Sequence, residues 1–332
     1  MRASSDDVVR GTNDDASLSR LSAVTAGYLD DTFAKLFVRR PMRRNPIINR
    51  GTYLRTSALD KLVSQFAAVH ASLGRPWQLV SLGAGSDTRY LLMKTSGQQP
   101  RKYFEIDFAE VTTRKAMALS KPSAQKLLGT AQPGKGGAEL YADDYCLLAG
   151  DLRHFEQELV PRLEQHGFDR EQPTLFLAEC VLVYMLPQDA DRVLRWTSTH
   201  CPTAGFIIYE PCQPDDAFGQ VMVQNLRGRG VELPGLSQYP DLLAQRTRFL
   251  NLGWHGATAV DMDQVHDRHT AAEELRRIAK LELLDELEEW RLLAQHYGIV
   301  WAWCEETKGD GSTASQPHLA HWQLPDYSTT TI

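Results

Sequence analysis

The stretch Gln78–Thr88, QLVSLGAGSDT, decides the fold class. Its apolar half runs into Gly83-Ala84-Gly85, where two glycines let the backbone turn tightly and approach a ligand with no Cβ in the way. A G-x-G-x-x-G dinucleotide fingerprint would place a third glycine at position 88, which is Thr. Its absence argues against a nicotinamide dinucleotide and favours the loop that binds S-adenosylmethionine. A plain strand–turn–helix with no ligand stays open at this point.

Four more short apolar runs follow this loop, and helix-compatible stretches separate them. They are Tyr103–Ile106, Tyr145–Ala149, Thr174–Ala178 and Gly205–Tyr209. This alternation predicts an α/β fold with a mostly parallel sheet covered on both faces. Strands buried on both sides should be apolar throughout, as TLFLA and GFIIY are. A helix over Leu281–Tyr297 leads at once into Gly298–Glu305, and the short connection predicts an antiparallel last strand at the edge of the sheet.

Composition excludes several classes of protein. With 332 residues, 42% of them hydrophobic, the chain can bury a large core. Its net charge of −6 gives no overall electrostatic footprint for nucleic acid, so none is expected as a partner. The run Arg39–Arg44 is basic, and a solvated loop, contact with an acidic partner and contact with nucleic acid all remain open for it.

The absence of certain sequence features predicts where the protein resides and predicts that it binds no metal. The acidic start of the chain resembles no signal peptide, and the most apolar run has 13 residues with Glu179 inside it, too short to span a bilayer. The five cysteines form no CxxC pair and are typical of a reducing compartment. His266 and His269 have no third ligand nearby, so no metal site is expected. We therefore expect a cytoplasmic protein with no membrane segment.

Acidic residues follow the predicted strands where each strand ends. Asp107, with Glu105 two positions earlier, ends the second strand and could accept both hydroxyls of a ribose. Asp151 and Leu152 end the third, where the carboxylate could accept from an adenine amino group while the leucine packs on the ring. Glu179 ends an apolar strand and needs a partner there, such as an amino group or a sulfonium. Each acid alone could be structural, but the carboxyl ends of parallel strands meet at one edge, where open α/β sheets bind ligands.

Seven segments of the chain together resemble the leucine carboxyl methyltransferases, and most closely their fungal members. They are INRGTYLRT, VSLGAGSDT, YFEIDF, AGDLR, LAECVLVYM, FGQVMVQNL and LELLDEL. The resemblance runs from about Val9 to Cys304. It implies a class I S-adenosylmethionine-dependent methyltransferase fold with an N-terminal helical region. It also implies methylation of the C-terminal leucine carboxylate of the protein phosphatase 2A catalytic subunit, regulating assembly of the phosphatase holoenzyme.

The resemblance also implies roles for individual residues. Arg55 and the backbone near Gly83 and Gly85 would hold the methionine carboxylate of the cofactor. Asp107 would bind the ribose of the cofactor, Asp151 and Leu152 its adenine, and Glu179 its methionyl amino group. Arg20 stands where many members have lysine; arginine keeps the charge but brings a planar guanidinium fork.

No catalytic base is expected, because a C-terminal carboxylate has an unperturbed pKa of about 3.5 and is ionised at neutral pH. The chemistry then needs a clamp for the carboxylate, for which Arg55 and Tyr184 are the candidates. Three other functions stay open: a carboxyl methyltransferase acting on a small molecule, one acting on a hypermodified base of transfer RNA, and a non-catalytic module that binds the phosphatase.

The same pattern predicts the organisation of the chain, taken to be a monomer. We expect a disordered N-terminus over 1–16, a helical cap over 17–57 with Ser17 as its first N-cap, and a methyltransferase domain over 58–306. An insertion of about 211–270 should cover the substrate side. A mobile tail is expected over 307–332.

Overall fold

The structure, a computed structural model, describes residues 5–306 and 317–328 and is built on one nine-stranded sheet. The strands are β1 Gln78–Leu82, β2 Lys102–Asp107, β3 Gln132–Gly134, β4 Glu139–Tyr141, β5 Tyr145–Ala149, β6 Thr174–Glu179, β7 Thr203–Pro211, β8 Gly256–Asp261 and β9 Tyr297–Glu305. Their order across the sheet is β3-β4-β5-β2-β1-β6-β7-β9-β8. The predicted runs at 78–82 and 145–149 coincide with β1 and β5.

The central strands are parallel, as predicted. β1 pairs in parallel with β2 and β6, β2 with β5, and β6 with β7. β9 is antiparallel to β7, also as predicted, but it does not form the edge, because β8 pairs antiparallel to its other side. The insertion supplies this extra strand. Since its one neighbour, β9, is more than 30 residues away in sequence, no local pattern indicates the pairing.

Helices cover both faces of the sheet. They are α1 Ser5–Thr25, α2 Pro46–Ser72, α3 Arg89–Ser96, α4 Ala109–Leu119, α5 Pro122–Leu128, α6 Val160–Gln165, α7 Pro187–His200, α8 Ala217–Gly228, α9 Pro234–Gln238, α10 Leu242–Asn251, α11 Met262–His269, α12 Ala272–Ala279 and α13 Leu287–Gln295. Two apolar cores result, one on each face: Leu59, Phe66 and Trp301 lie in one, and Phe176 and Phe206 in the other.

The N-terminal segment differs most from expectation. Residues 5–16, expected to be disordered, form the first part of α1, so Ser17 lies inside this helix and donates to the carbonyl of Asn13 instead of capping. This polar half of α1 forms ion pairs with later parts of the chain: Asp6 with Arg153 at 2.8 Å and Asp14 with Arg114 at 3.0 Å. Both partners are at least 100 residues away, which is why the local pattern does not show the helix. Residues 1–4 lie outside the described part.

The prediction of a mobile tail is also wrong for residues 317–328, the part of the tail that the structure describes. Leu319 and Trp322 are buried, and the indole of Trp322 donates to the carbonyl of Leu62 on α2. Large apolar side chains buried against α2 and β9 order this segment. Residues 307–316 and 329–332 of the expected tail lie outside the described residues. Over the described ranges, every helix is too short or too polar to cross a membrane.

Candidate functional site

A cavity of about 610 Å³ opens at the carboxyl ends of β1, β2, β5 and β6. The order of the strands reverses between β1 and its two neighbours, and this is where open α/β sheets hold ligands. All nine residues singled out from the sequence line this cavity: Arg20, Arg55, Gly83, Gly85, Asp107, Asp151, Leu152, Glu179 and Tyr184. Residues of α1 close its other side, including Asp6, Thr12 and Asn13.

The glycine loop brings backbone close to the cavity. Gly83 has φ +61° and Gly85 has φ +48°, a left-handed region that other residues rarely adopt. A Cβ on Gly83 would lie 2.5 Å from Cγ2 of Val181, and one on Gly85 would lie 2.6 Å from Oδ1 of Asn13. Both glycines are therefore required by conformation and by space, in keeping with their role as the floor of the site.

Asp107 is held by the loop it faces. Its Oδ2 accepts from the backbone N–H of Gly85 at 2.7 Å, and its Oδ1 accepts from that of Phe108 at 2.7 Å. Burial raises the pKa of Asp107, and these two N–H donors only partly oppose the rise. Each carboxylate oxygen has a second lone pair, so the group can still accept hydrogen bonds from a ligand.

Asp151 is less available than the sequence suggests. It accepts from the backbone N–H of Arg153 at 2.9 Å and is paired with the Arg153 guanidinium, whose Nη2 lies 2.6 Å from Oδ2. Burial alone would raise the pKa of Asp151, but the hydrogen bonds from Arg153 more than offset it and leave the pKa lowered. The same guanidinium also binds Asp6 of α1. Asp151 therefore joins the end of β5 to the N-terminal helix, beside the buried Leu152.

Glu179 has two arginine partners, and the sequence analysis foresaw neither. Its Oε2 accepts from Nε of Arg55 at 2.7 Å, and its Oε1 accepts from Nη2 of Arg89 at 3.2 Å. Arg89 is only 6% exposed in its side chain and also binds Asp87 and Asp60. Burial would raise the pKa of Glu179, but Arg55 and then Arg89 bring it below its ordinary value. The buried acid at this strand end is thus ionised without any ligand.

Arg55 is fixed rather than free. Besides its bond to Glu179, its guanidinium carbon lies 4.7 Å from the centre of the Tyr209 ring, a stacked cation–π contact. Arg20 is likewise tied down, since its Nε donates to Oδ2 of Asp31 at 2.6 Å. Oδ2 of Asp31 also accepts from the hydroxyl of Thr88 at 2.6 Å. The residue that replaces the third glycine of a dinucleotide fingerprint therefore helps to orient a cationic wall of the cavity.

Tyr184 lies on a short 3₁₀ turn, Leu182–Tyr184, that follows β6. Burial raises its pKa well above the ordinary value, so its hydroxyl stays protonated at neutral pH and can donate a hydrogen bond. Cys180, between Glu179 and the turn, has φ +54°, unusual for a residue with a side chain. The chain thus leaves the strand through a strained residue before it presents Tyr184 to the cavity.

Three contributors to the site were missed by sequence reasoning: Asn13, Arg89 and Glu210, which binds the turn before Tyr184. Two of them carried a signal. Glu210 ends the apolar run GFIIYE much as Glu179 ends TLFLAE, and a buried acid needs donors in either place. Arg89 opens the helix directly after the glycine loop, one residue from the position of the missing glycine. Asn13 carried none, because it lay in a segment expected to be disordered.

The residues present fit S-adenosylmethionine. The carboxylates of Asp107, Asp151 and Glu179 are acceptors, as the hydroxyls and amino groups of such a ligand require, and Arg20 and Arg55 can face its carboxylate. The two glycines keep Cβ atoms out of the loop beneath them. The cavity volume lies within the range of sites for ligands of this size.

Comparison with known proteins shows which family the chain resembles. The family model for leucine carboxyl methyltransferase matches residues 9–198. Leucine carboxyl methyltransferase 1 of Emericella nidulans is 44% identical over 326 residues, covering 90% of this chain and 85% of its own length. The human tRNA wybutosine-synthesizing protein 4 is 40% identical over 89% of this chain but only 44% of its own length.

Among solved structures, a DUF574 family protein from Streptomyces avermitilis superposes with a TM-score of 0.50 at 14% identity, over 87% of this chain and 96% of its own. That likeness concerns the fold. The chain belongs to the leucine carboxyl methyltransferase family, and its fold is that of the class I S-adenosylmethionine-dependent methyltransferases.

Proposed function

We propose that this protein uses S-adenosylmethionine to methylate the C-terminal leucine α-carboxylate of the protein phosphatase 2A catalytic subunit. The supporting observation is that one cavity brings together three carboxylates suited to the cofactor and two candidates for a carboxylate clamp, Arg55 and Tyr184. Membership of the leucine carboxyl methyltransferase family supports the same substrate class.

The reaction asks little acid–base chemistry of the protein. A terminal carboxylate with a pKa of about 3.5 is already ionised at neutral pH. S-adenosylmethionine supplies a methyl group already activated by its sulfonium. What the chain must provide is alignment of donor and acceptor, which is worth about 7–11 kcal/mol in well-oriented systems. The side chains of the cavity are accordingly held in place by one another.

Arg55 and Tyr184 have complementary parts in this proposal. Arg55, fixed by Glu179 and Tyr209, would attract the carboxylate and set its direction. A carboxylate paired on both oxygens by arginine would be a poor nucleophile, so a neutral donor on one oxygen is preferable. The buried hydroxyl of Tyr184 stays protonated and meets that need.

Methyl transfer from labelled S-adenosylmethionine to purified phosphatase 2A core enzyme tests the proposal. A core lacking its terminal leucine and a bare tail peptide serve as controls. Base-labile label on the intact core, absent from the truncated core, is the expected result. No label on the intact core by a preparation that binds the cofactor would refute the substrate assignment.

A second candidate is a carboxyl methyltransferase that acts on a modified base of transfer RNA. The observation in its favour is the 40% identity to the human tRNA wybutosine-synthesizing protein 4, of which this chain spans 44%. Transfer RNA carrying the unmethylated base should therefore be included in the same assay. Label on that RNA and none on the phosphatase would favour this candidate.

A further inference from the structure

Glu210 lies at the end of β7, one residue before Pro211, and binds three consecutive backbone N–H groups of the turn that carries Tyr184. Its Oε1 accepts from Val181 at 3.2 Å and Leu182 at 3.0 Å, and its Oε2 accepts from Val183 at 2.9 Å. The carboxylate is 4% exposed, so no solvent competes for these donors. Glu210 therefore acts on the backbone of the turn, whereas the glycine loop and the clamp line the cavity itself.

The turn it holds contacts the cavity at two points. Tyr184 closes the turn, with its N–H donating to the carbonyl of Val181, and its side chain lines the cavity. The side chain of Val181 lies against Gly83, where a Cβ would come within 2.5 Å of it. Because the N–H of Cys180 pairs with Tyr209 and restrains the neighbouring Val181, a shift of this turn would move mainly the candidate donor at its other end.

Few other bonds hold this turn where it joins the sheet. Cys180, in the left-handed region, donates its N–H to Tyr209 of β7 at 2.7 Å, and after it the chain leaves the ladder. From the other side α9 packs against the turn, since a Cβ on Gly235 would lie 2.9 Å from Cα of Val183. Up to Cys180, the backbone N–H groups find their acceptors in the neighbouring strand. Beyond Cys180, the carboxylate of Glu210 takes over as acceptor.

We propose that Glu210 is a positioning residue for methyl transfer: it fixes the turn 181–184 so that Tyr184 meets the acceptor carboxylate. The inference rests on the proposed function. Glu210 does not line the cavity, so it acts on the substrate only through the turn. Its loss should lower turnover while the affinity for S-adenosylmethionine stays close to that of the wild type.

The titration of Glu210 gives an independent readout. Burial raises its pKa to about 7, and the three N–H donors and Arg248 only partly oppose this. On protonation one acceptor oxygen becomes a donor facing N–H groups, so the turn should loosen below about pH 7 and activity should fall. Stability follows the opposite sign: a raised pKa in the folded state contributes stability that is lost as pH rises through 7.

Four titratable groups close to Glu210 have pKa values that are moved away from this range. Cys180 has a pKa raised to about 12, Tyr184 and Tyr297 have theirs raised further, and the pKa of Glu179 is lowered. On α10, Arg248 is paired with Asp191 at 2.7 Å.

Glu305 offers a matched control. It is also 4% exposed, also ends a strand, and also holds a 3₁₀ turn, through His318 at 2.9 Å and the N–H of Leu319 at 2.9 Å. That turn does not line the cavity. Glu305→Gln therefore reports the structural cost of placing an amide where a buried carboxylate holds a turn, without any effect on Tyr184.

The experiment compares Glu210→Gln, Glu305→Gln and the wild type on phosphatase 2A core enzyme at saturating S-adenosylmethionine. We expect kcat to fall about ten- to a hundredfold in Glu210→Gln and to stay unchanged in Glu305→Gln. The Kd for S-adenosylhomocysteine should stay within about twofold of the wild type in both, and only Glu210→Gln should lose the rise of kcat near pH 7. Equal kcat values in the two variants would overturn the proposal.

A second measurement uses only the wild-type protein, so it does not depend on whether a variant folds. Hydrogen exchange of the wild type, corrected for intrinsic rates, should show protection of the amides of residues 181–183 falling between pH 8 and pH 5.5. Protection of 181–183 that does not change with pH would overturn the inference. If the wild type methylated no phosphatase, the proposed function would be refuted instead. The hydrogen-exchange result would still show whether Glu210 holds the turn 181–184.

Discussion

Replacing Arg89 with methionine should destabilise the fold strongly, because Arg89 is the buried partner of several carboxylates. Its side chain is 6% exposed, and those of Asp87 and Glu179 are 13% and 17% exposed. Removing one partner from a buried ion pair costs about 3–5 kcal/mol. The half-exposed Asp60 should add little to this, because water screens such pairs.

The expected change in melting temperature follows from chain length. At about 2.1 cal/mol/K per residue, unfolding 332 residues has an entropy of about 0.7 kcal/mol/K, so a loss of about 4 kcal/mol lowers Tm by about 6 °C. Calorimetry at pH 7 measures it. Arg291→Met is the control, because Arg291 also binds two carboxylates, Asp263 and Asp267, but is 50% exposed. That variant should lose less than about 1 kcal/mol.

The pH dependence makes the test stricter. Because Arg55 and Arg89 lower the folded-state pKa of Glu179, its stabilising contribution is present above the unfolded value of about 4.5 and is lost as pH falls. The difference between the wild type and Arg89→Met should therefore be full at pH 7 and smaller at pH 4. An Arg89→Met protein as stable as Arg291→Met at pH 7, or a difference that is the same at both pH values, would refute the reasoning.

Three further substitutions test the cavity. Tyr184→Phe should lower turnover roughly tenfold or more through loss of one hydrogen bond to a charged group, with the affinity for S-adenosylhomocysteine unchanged; unaltered turnover would remove Tyr184 from the clamp. Asp107→Asn should weaken binding of the same ligand, measured by calorimetry, without a change in fold by circular dichroism. Gly83→Ala should cost about 1–3 kcal/mol more than Gly74→Ala in urea unfolding. Both glycines have φ +61°, but only at Gly83 would the Cβ meet another side chain. Equal losses would show that the contact with Val181 is relieved at no cost.

Much of the sheet could be predicted from the sequence because its central strands are buried on both faces. Runs such as Gln78–Leu82 and Tyr145–Ala149 are short, apolar and bounded by turn residues, and the structure places β1 and β5 there. The gathering of Asp107, Asp151 and Glu179 at one edge follows from parallel pairing alone.

The remaining features depend on contacts distant in sequence. The polar segment 5–16 has no apolar stripe that favours a helix, and its contacts, such as the ion pair of Asp6 with Arg153, are made with residues distant in sequence. The partners of Glu179 could not be read from its strand, because Arg55 lies on α2 and Arg89 on α3. A pattern can thus show that a buried acid needs a partner without showing which residue it is.

The ion pairs of α1 also bear on how the protein is made. The ion-pair partners of α1 all follow it in the chain: Asp14 pairs with Arg114, Asp6 with Arg153, and Asp15 with both Arg44 and Arg229. The strands whose ends carry Asp107, Asp151 and Glu179 also follow α1, so α1 has no cavity to cover until β6 has been synthesised. We therefore expect α1 to dock on the sheet only after β6 has left the ribosome, and a product that ends before β6 to lack a closed site.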